Sequence, residues 1–138
     1  MKCKTLLIKN QIEELNRVVD YLDELGEEWD LAVPLVFSLN LVLEEALTNI
    51  ILYGLDNQSE HLIEIEFKKS DDQLYLTLID DGIAYDPTLK ADPDLSLSVE
   101  DRPIGGLGIF LIKKIMDQVV YSRKENKNFL MLTKNINV

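Results

Sequence analysis

Leu62-Ile63-Glu64-Ile65-Glu66-Phe67-Lys68, then Ser70-Asp71-Asp72, then Gln73-Leu74-Tyr75-Leu76-Thr77-Leu78-Ile79 is the stretch on which the fold turns. Both runs alternate apolar and polar residues, the period-two pattern of strands with one wet face. Short polar residues between them suit a turn, so the pair predicts an antiparallel hairpin. Further along, Val119–Arg123 and Phe129–Thr133 predict a second hairpin around Glu125-Asn126-Lys127-Asn128. Adjacent hairpins, in place of single strands alternating with helices, favour an α+β two-layer sandwich over a doubly wound parallel sheet.

Upstream, residues 5–9 read as a short strand. Asn10 is a candidate helix cap, with Glu13 three residues on as in a capping box. Ile12, Leu15, Val18, Val19, Leu22 and Leu25 then follow helical spacing, and Gly26 suits a C-terminal stop. A second helix is expected from Pro34, tolerated in a first turn, to near Gly54. Leu39, Val42, Leu43, Ala46, Leu47, Ile50 and Ile51 occupy nearly every side of it, so it should be the central buried helix. Residues 86–103 contain three prolines and read as a loop, and Ile109-Phe110, Ile112 and Ile115-Met116 predict a third helix over 108–117. The order β-α-α-β-β-loop-α-β-β is that of one domain, 1–138.

The formal charge of −11 argues against general nucleic-acid binding, because a phosphate backbone would be repelled. A single nucleotide held locally with a metal ion is compatible with it. The apolar run Leu31 to Leu43 is interrupted by Pro34, Ser38 and Asn40, so no segment is expected to approach the roughly 20 apolar residues of a spanning helix. Met1-Lys2-Cys3-Lys4 leads into strand-like residues without an apolar signal segment. One cysteine allows no internal disulfide, and the expectation is a cytoplasmic protein with no membrane association.

Three further pieces carry chemistry. Glu45 and Asn49 lie four apart and project from one helix face. An amide oxygen one turn from a carboxylate can hold magnesium beside a proton acceptor; the pair also reads as an ordinary hydrogen-bonded pair at a helix edge. Asp80 ends a strand before Asp81-Gly82, where it can accept from an adenine amino group while Gly82 lets the backbone turn close beneath the ring. The same residues also read as a plain Asp-Gly turn. Gly105-Gly106-Leu107-Gly108 precedes a helix and can present N–H groups to phosphates, or can be a flexible joint. It is neither the dinucleotide fingerprint nor a Walker P-loop. In this order, the three pieces read as an ATP site.

The segment Glu45-Ala46-Leu47-Thr48-Asn49, then Asp80-x-Gly82-x-x-Tyr85-Asp86-Pro87, then Gly106-Leu107-Gly108 with Met116-Asp117 beyond, resembles the ATPase domain shared by gyrase, histidine kinases, a heat-shock chaperone and mismatch-repair proteins. Within that superfamily the chain most resembles the small bacterial anti-sigma-factor serine kinases, over essentially its whole length. The resemblance implies a two-layer sandwich with a mixed, mainly antiparallel sheet and helices on one face. It also implies ATP and Mg2+, with Asn49 as magnesium ligand, Glu45 as catalytic base, Asp80 as adenine contact, and Gly82, Gly106 and Gly108 as backbone shapers. Ala84, Gly105 and Leu107 complete the implied nucleotide-binding set, and residues 88–104 would form a lid. Ala84 and Ile104 stand where relatives often carry glycine, Tyr53 replaces a histidine, and Asn128-Phe129 stands where many have threonine.

The implied activity is transfer of the ATP γ-phosphate to a serine of a STAS-type anti-anti-sigma protein, alternating with capture of a sigma factor, from a homodimer. The alternative is a regulatory module that binds nucleotide without transferring phosphate; the base–amide pair favours the enzyme. Histidine kinase activity is disfavoured, because the single histidine, His61, follows the polar run Asn57-Gln58-Ser59-Glu60 and reads as a solvated loop residue.

Overall fold

The computed structural model describes residues 1–56, 59–89 and 106–136. Strand β1 (Lys2–Lys9) leads through a single 3-10 turn (Ile12–Glu14) into helix α1 (Leu15–Glu28), and helix α2 (Val33–Asn49) follows. Strands β2 (Leu62–Lys69) and β3 (Gln73–Asp80) form the first hairpin; helix α3 (Gly106–Ile115) precedes the second, β4 (Gln118–Lys124) and β5 (Lys127–Asn135). The element order is the one the sequence predicts.

The five strands lie in the order β1-β2-β3-β5-β4. All four pairings are antiparallel, so the sheet has no parallel component. The cause is that β5 returns from β4 into the space beside β3, where a direct crossover would have left β4. Leu6 and Ile8, Ile63, Ile65 and Phe67, Leu74, Leu76 and Leu78, and Leu130 and Leu132 are buried alternately along their strands, on the face that meets the helices. Register aligns Thr5, Glu66, Thr77, Met131 and Val120 in a row on the other face. Leu39, Val42, Leu43, Ala46 and Leu47 of α2 are buried in the same core.

Local signals resolve differently from expectation at several points. Asn10 does not cap α1: its side-chain amide donates to the Asp56 and Ser59 carbonyls and its oxygen accepts from the His61 N–H. Glu14, not Glu13, reaches back, accepting the Lys9 N–H at 3.0 Å. Gly26 does not stop α1 but lies buried inside it, where a Cβ would meet Val36 Cγ2 at 2.8 Å. The glycine serves close helix packing, and the chain turns instead at Asp30, which takes a positive φ of 54°. That reversal buries Trp29 beside β1, where Lys4 pairs with Glu28 at 3.2 Å.

The central helix continues past Asn49 as a π turn over Ile50–Gly54, closed by the Leu55 N–H on the Ile50 carbonyl. The resulting helix, Val33–Gly54, is 22 residues long, holds an 18-residue stretch of mean hydropathy 1.6, and by length and composition is long and apolar enough to cross a membrane. This corrects the expectation that no segment approaches that length: Pro34 sits in the first turn, and Ser38 and Asn40 do not interrupt a helix. Its buried stripe packs on the sheet, and Asn40, Glu44, Glu45 and Asn49 punctuate the rest.

Candidate functional site

Strand register assembles the site. Pairing sets Asp80 opposite Asn128 and Asn128 opposite Arg123. Counting in twos from Leu78 and Leu130 puts this row on the helix-facing side of the sheet. Asp80 and Asn128 are the buried polar residues among those described. Such groups cost free energy unless bonded, and they satisfy one another. Asn128 Nδ2 donates to Asp80 Oδ1 at 3.1 Å and to the Ile83 carbonyl at 2.8 Å. Its Oδ1 accepts from the Tyr121 hydroxyl and from Arg123 Nη1. The Gly82 N–H also donates to Asp80 Oδ1, at 2.9 Å, and Arg123 Nη1 donates to the Gly82 carbonyl at 2.8 Å. Among the described residues no side chain or loop N–H donates to Asp80 Oδ2.

The π turn meets this row from the helix layer. Its last residue, Gly54, accepts the Ile83 N–H at 3.1 Å. A Cβ at position 82 would lie 2.2 Å from that same carbonyl oxygen, so only glycine fits there. Extra residues in a helical turn commonly mark functional sites; here the widened turn brings Tyr53 and Gly54 to the rim of a cavity of about 340 Å³. Ala46, Ile50, Ile109, Ile112 and Leu130 supply apolar walls, and Asn49, Asp80 and Asn128 supply polar groups. A slot with apolar walls and a few convergent polar groups suits a flat heterocycle.

Beside Asn49, Gly108 in the first turn of α3 rests on α2. A Cβ there would fall 2.8 Å from Glu45 Oε2 and 3.5 Å from Asn49 Nδ2. Three residues from two separate parts of the sequence, the Glu45–Asn49 pair and Gly108, therefore converge. The first-turn N–H groups of α3 have no intrahelical acceptor, and they open beside the carboxylate and the amide. Among the described residues no hydrogen bond or ion pair holds Glu45, which is half-buried.

Of the remaining sequence candidates, Gly106 and Leu107 begin α3, two residues earlier than expected. Ala84 is exposed and does not line the cavity, whereas its neighbours Ile83 and Tyr85 do. Gly105 and residues 90–104 of the expected lid lie outside the described residues. Tyr53, in place of a histidine, lines the cavity. Sequence reasoning passed over Tyr121 and Arg123 and noted Asn128 only as a departure; the available signal was their shared parity along the second hairpin.

His61 also differs from expectation. Its side chain is 18% exposed, with Nδ1 2.9 Å from Asp81 Oδ1 and Nε2 3.1 Å from Asp56 Oδ2. Hydrogen bonds to Asp56 and then to Asp81 hold its pKa above the ordinary 6.5. Loop position concealed two carboxylates that only the fold brings to the ring.

The sequence matches the family described as the Histidine kinase-like ATPase domain over residues 8–134. It is 32% identical to the serine/threonine-protein kinase BtrW of Bordetella bronchiseptica, covering 79% of this chain and 75% of that one. It is 30% identical to the anti-sigma F factor of Clostridium beijerinckii, covering 79% and 77%, and 30% identical to the serine-protein kinase RsbW of Listeria monocytogenes, covering 72% and 66%. Among solved structures, a histidine kinase domain from Erythrobacter litoralis is similar with TM-score 0.52 at 12% identity, covering 91% of this chain and 60% of that one. Acinetobacter baumannii histidine kinase AdeS is similar with TM-score 0.51 at 16% identity, covering 100% and 70%. The antiparallel sheet under three helices, the cavity at Asp80 and the match over 8–134 agree: the chain belongs to the histidine-kinase-like ATPase family.

Proposed function

We propose that this protein is an ATP-dependent protein-serine kinase of a partner-switching system, phosphorylating a STAS-type anti-anti-sigma protein and alternately holding a sigma factor. The observation that carries the reading is the convergence of Glu45, Asn49 and Gly108, with Asn49 lining the same cavity as Asp80. Relatives named as serine kinases and an anti-sigma factor support the substrate class and the partners.

In this reading adenine lies between Ile83 and the apolar wall, its amino group donating to Asp80 Oδ2. Asn128, Gly82 and Arg123 fix that carboxylate and the turn beneath the ring. The triphosphate runs toward the start of α3, where backbone N–H groups from Gly106 onward meet it. Magnesium fits the donors present, the half-buried Asn49 amide that lines the cavity beside Glu45 and Gly108. A magnesium–nucleotide complex needs only one or two protein oxygens besides phosphates and water, and Asn49 would supply one. When bound, magnesium neutralises charge on the phosphates. Glu45 takes the proton from the partner's serine hydroxyl as its oxygen bonds to the γ-phosphorus and ADP departs. A cytoplasmic homodimer is part of the same proposal.

The test is transfer of radiolabel from γ-labelled ATP to purified STAS-domain proteins from the same genome, with their serine acceptor replaced by alanine as control. Serine-dependent labelling is expected. If ATP binds well and no partner is labelled, the chain is instead a nucleotide-gated binding module without kinase activity.

A further inference from the structure

The turn Asp80-Asp81-Gly82-Ile83 is pinned at every residue, each from a different direction. Asn128 holds Asp80, Arg123 holds the Gly82 carbonyl and Gly54 takes the Ile83 N–H. The fourth attachment is Asp81 to His61, and neither of these residues lines the cavity. We propose that His61 is a positioning residue for the nucleotide: its ring ties the segment after the central helix to Asp81, and so holds Asp80 and Gly82 in place under the adenine. The proposal rests on the placement of adenine beside Asp80.

The geometry favours a charged ring. Both nitrogens face carboxylates, Nδ1 toward Asp81 and Nε2 toward Asp56. An imidazolium donates to both at once; a neutral ring donates once and turns a lone pair to the other side. The Ser59 hydroxyl, 3.0 Å from Nε2 and from Asp56 Oδ1, can replace one of those donors but not both. The platform beneath the ring is stiff. Asn10 accepts the His61 N–H, donates its own N–H to the His61 carbonyl and holds the Asp56 and Ser59 carbonyls. The other charges nearby, Glu60 and Lys9, are paired with each other at 3.1 Å. Asp56 and Asp81 therefore dominate the field at the ring and raise its pKa above the ordinary value. Protonation strengthens the tie, so proton binding and adenine binding should favour each other, and linkage makes the effect reciprocal.

His61 is the only histidine, so its ring resonance can be followed by NMR in the intact chain without assignment ambiguity. The experiment measures that titration with and without metal-free ADP, together with ADP affinity against pH, in the parent, Asp81→Asn, His61→Asn and Asp80→Asn proteins. In the parent, ADP should bind at least about fivefold more tightly to the protonated form, raising the ring's pKa by about 0.7. Asp81→Asn keeps the attraction of the phosphates for the ring but removes the charge at the far end of the tie, leaving a neutral hydrogen bond that no longer favours the protonated ring as strongly, so most of that rise should vanish. His61→Asn should lose the excess pH dependence of affinity, with the nucleotide's own titration common to both proteins. No rise in the parent, an equal rise in Asp81→Asn, or the parent's pH slope retained in His61→Asn would each overturn the positioning role. Unchanged ADP affinity in Asp80→Asn would instead overturn the adenine placement, whatever His61 does.

Discussion

Gly108 leaves no room for a methyl group, yet what it would strike is the flexible end of Glu45, not backbone. Gly108→Ala should therefore leave the fold nearly intact, displace the carboxylate and slow phosphoryl transfer more than it weakens nucleotide binding; paired kinase assays and titrations check this. Glu45→Ala should cut transfer by about a hundredfold to ten-thousandfold, the usual contribution of a positioned base, while binding persists. Asn49→Ala should weaken the magnesium–ATP complex itself, and isothermal titration separates the two effects. Asp80→Asn keeps an oxygen for Gly82 and Asn128 but turns an NH2 group toward the adenine amino group. Loss of a charge-assisted bond of about 1.5–3 kcal/mol should weaken ADP roughly tenfold to a hundredfold in the same titration. Glu45, Asn49 and Asp80 were legible because each is a polar residue at a place where the local pattern demands an apolar or turn residue. Asn128 was not, since a polar residue near a hairpin turn is ordinary until register sets it beside Asp80.

Element boundaries show where local chemistry was outweighed by packing. Asn10 has the right type and spacing for a cap, but the segment 56–61 offers carbonyls and an N–H that would otherwise go unbonded, and these claim it. Gly26 looks like a stop, but Val36 needs the space above it. The second hairpin is longer than its alternation suggested, because Glu125 and Asn126 both adopt positive φ and make a two-residue turn whose twist matches the strands. Gly82→Ala should be the costly glycine change, since its Cβ meets the backbone of Gly54 at 2.2 Å. A loss of about 1–3 kcal/mol or more, typical of overpacking, should appear in urea denaturation. Two titrating groups stiffen the junctions around β1 with opposite pH signs. Bonds from the Lys9 N–H and then Arg17 lower the Glu14 pKa below 4.5; its contribution is present above that value and lost as pH falls through the lower folded pKa. The raised His61 pKa gives a contribution present below 6.5 and lost as pH rises through the folded value. Glu14→Gln should thus flatten the acid limb of a urea-midpoint profile and His61→Asn the alkaline limb.

For the whole molecule, topology was readable because it follows from counting elements: two hairpins separated by one helix leave few ways to build a sheet on a buried α2. The inserted position of β5 was not, since nothing local distinguishes β5 from β4 as the neighbour of β3. A native-state ligand stabilises by mass action, about 2.7 kcal/mol at a hundred times its dissociation constant. For a chain of this size that is a rise in melting temperature of roughly 5–15 °C, which differential scanning fluorimetry with magnesium and ADP should register. The reversal at Asp30 bears on how such a rise is read. It seats Trp29, the single tryptophan, at 3% exposure beside the β1 end marked by the Lys4–Glu28 pair. The cavity proposed for the nucleotide lies toward the opposite end of the strands, the end of Lys9 and Leu62. Intrinsic indole emission therefore reports the integrity of the helix layer and should stay unchanged when the cavity fills, so one sample carries an optical clock for unfolding that the ligand does not touch.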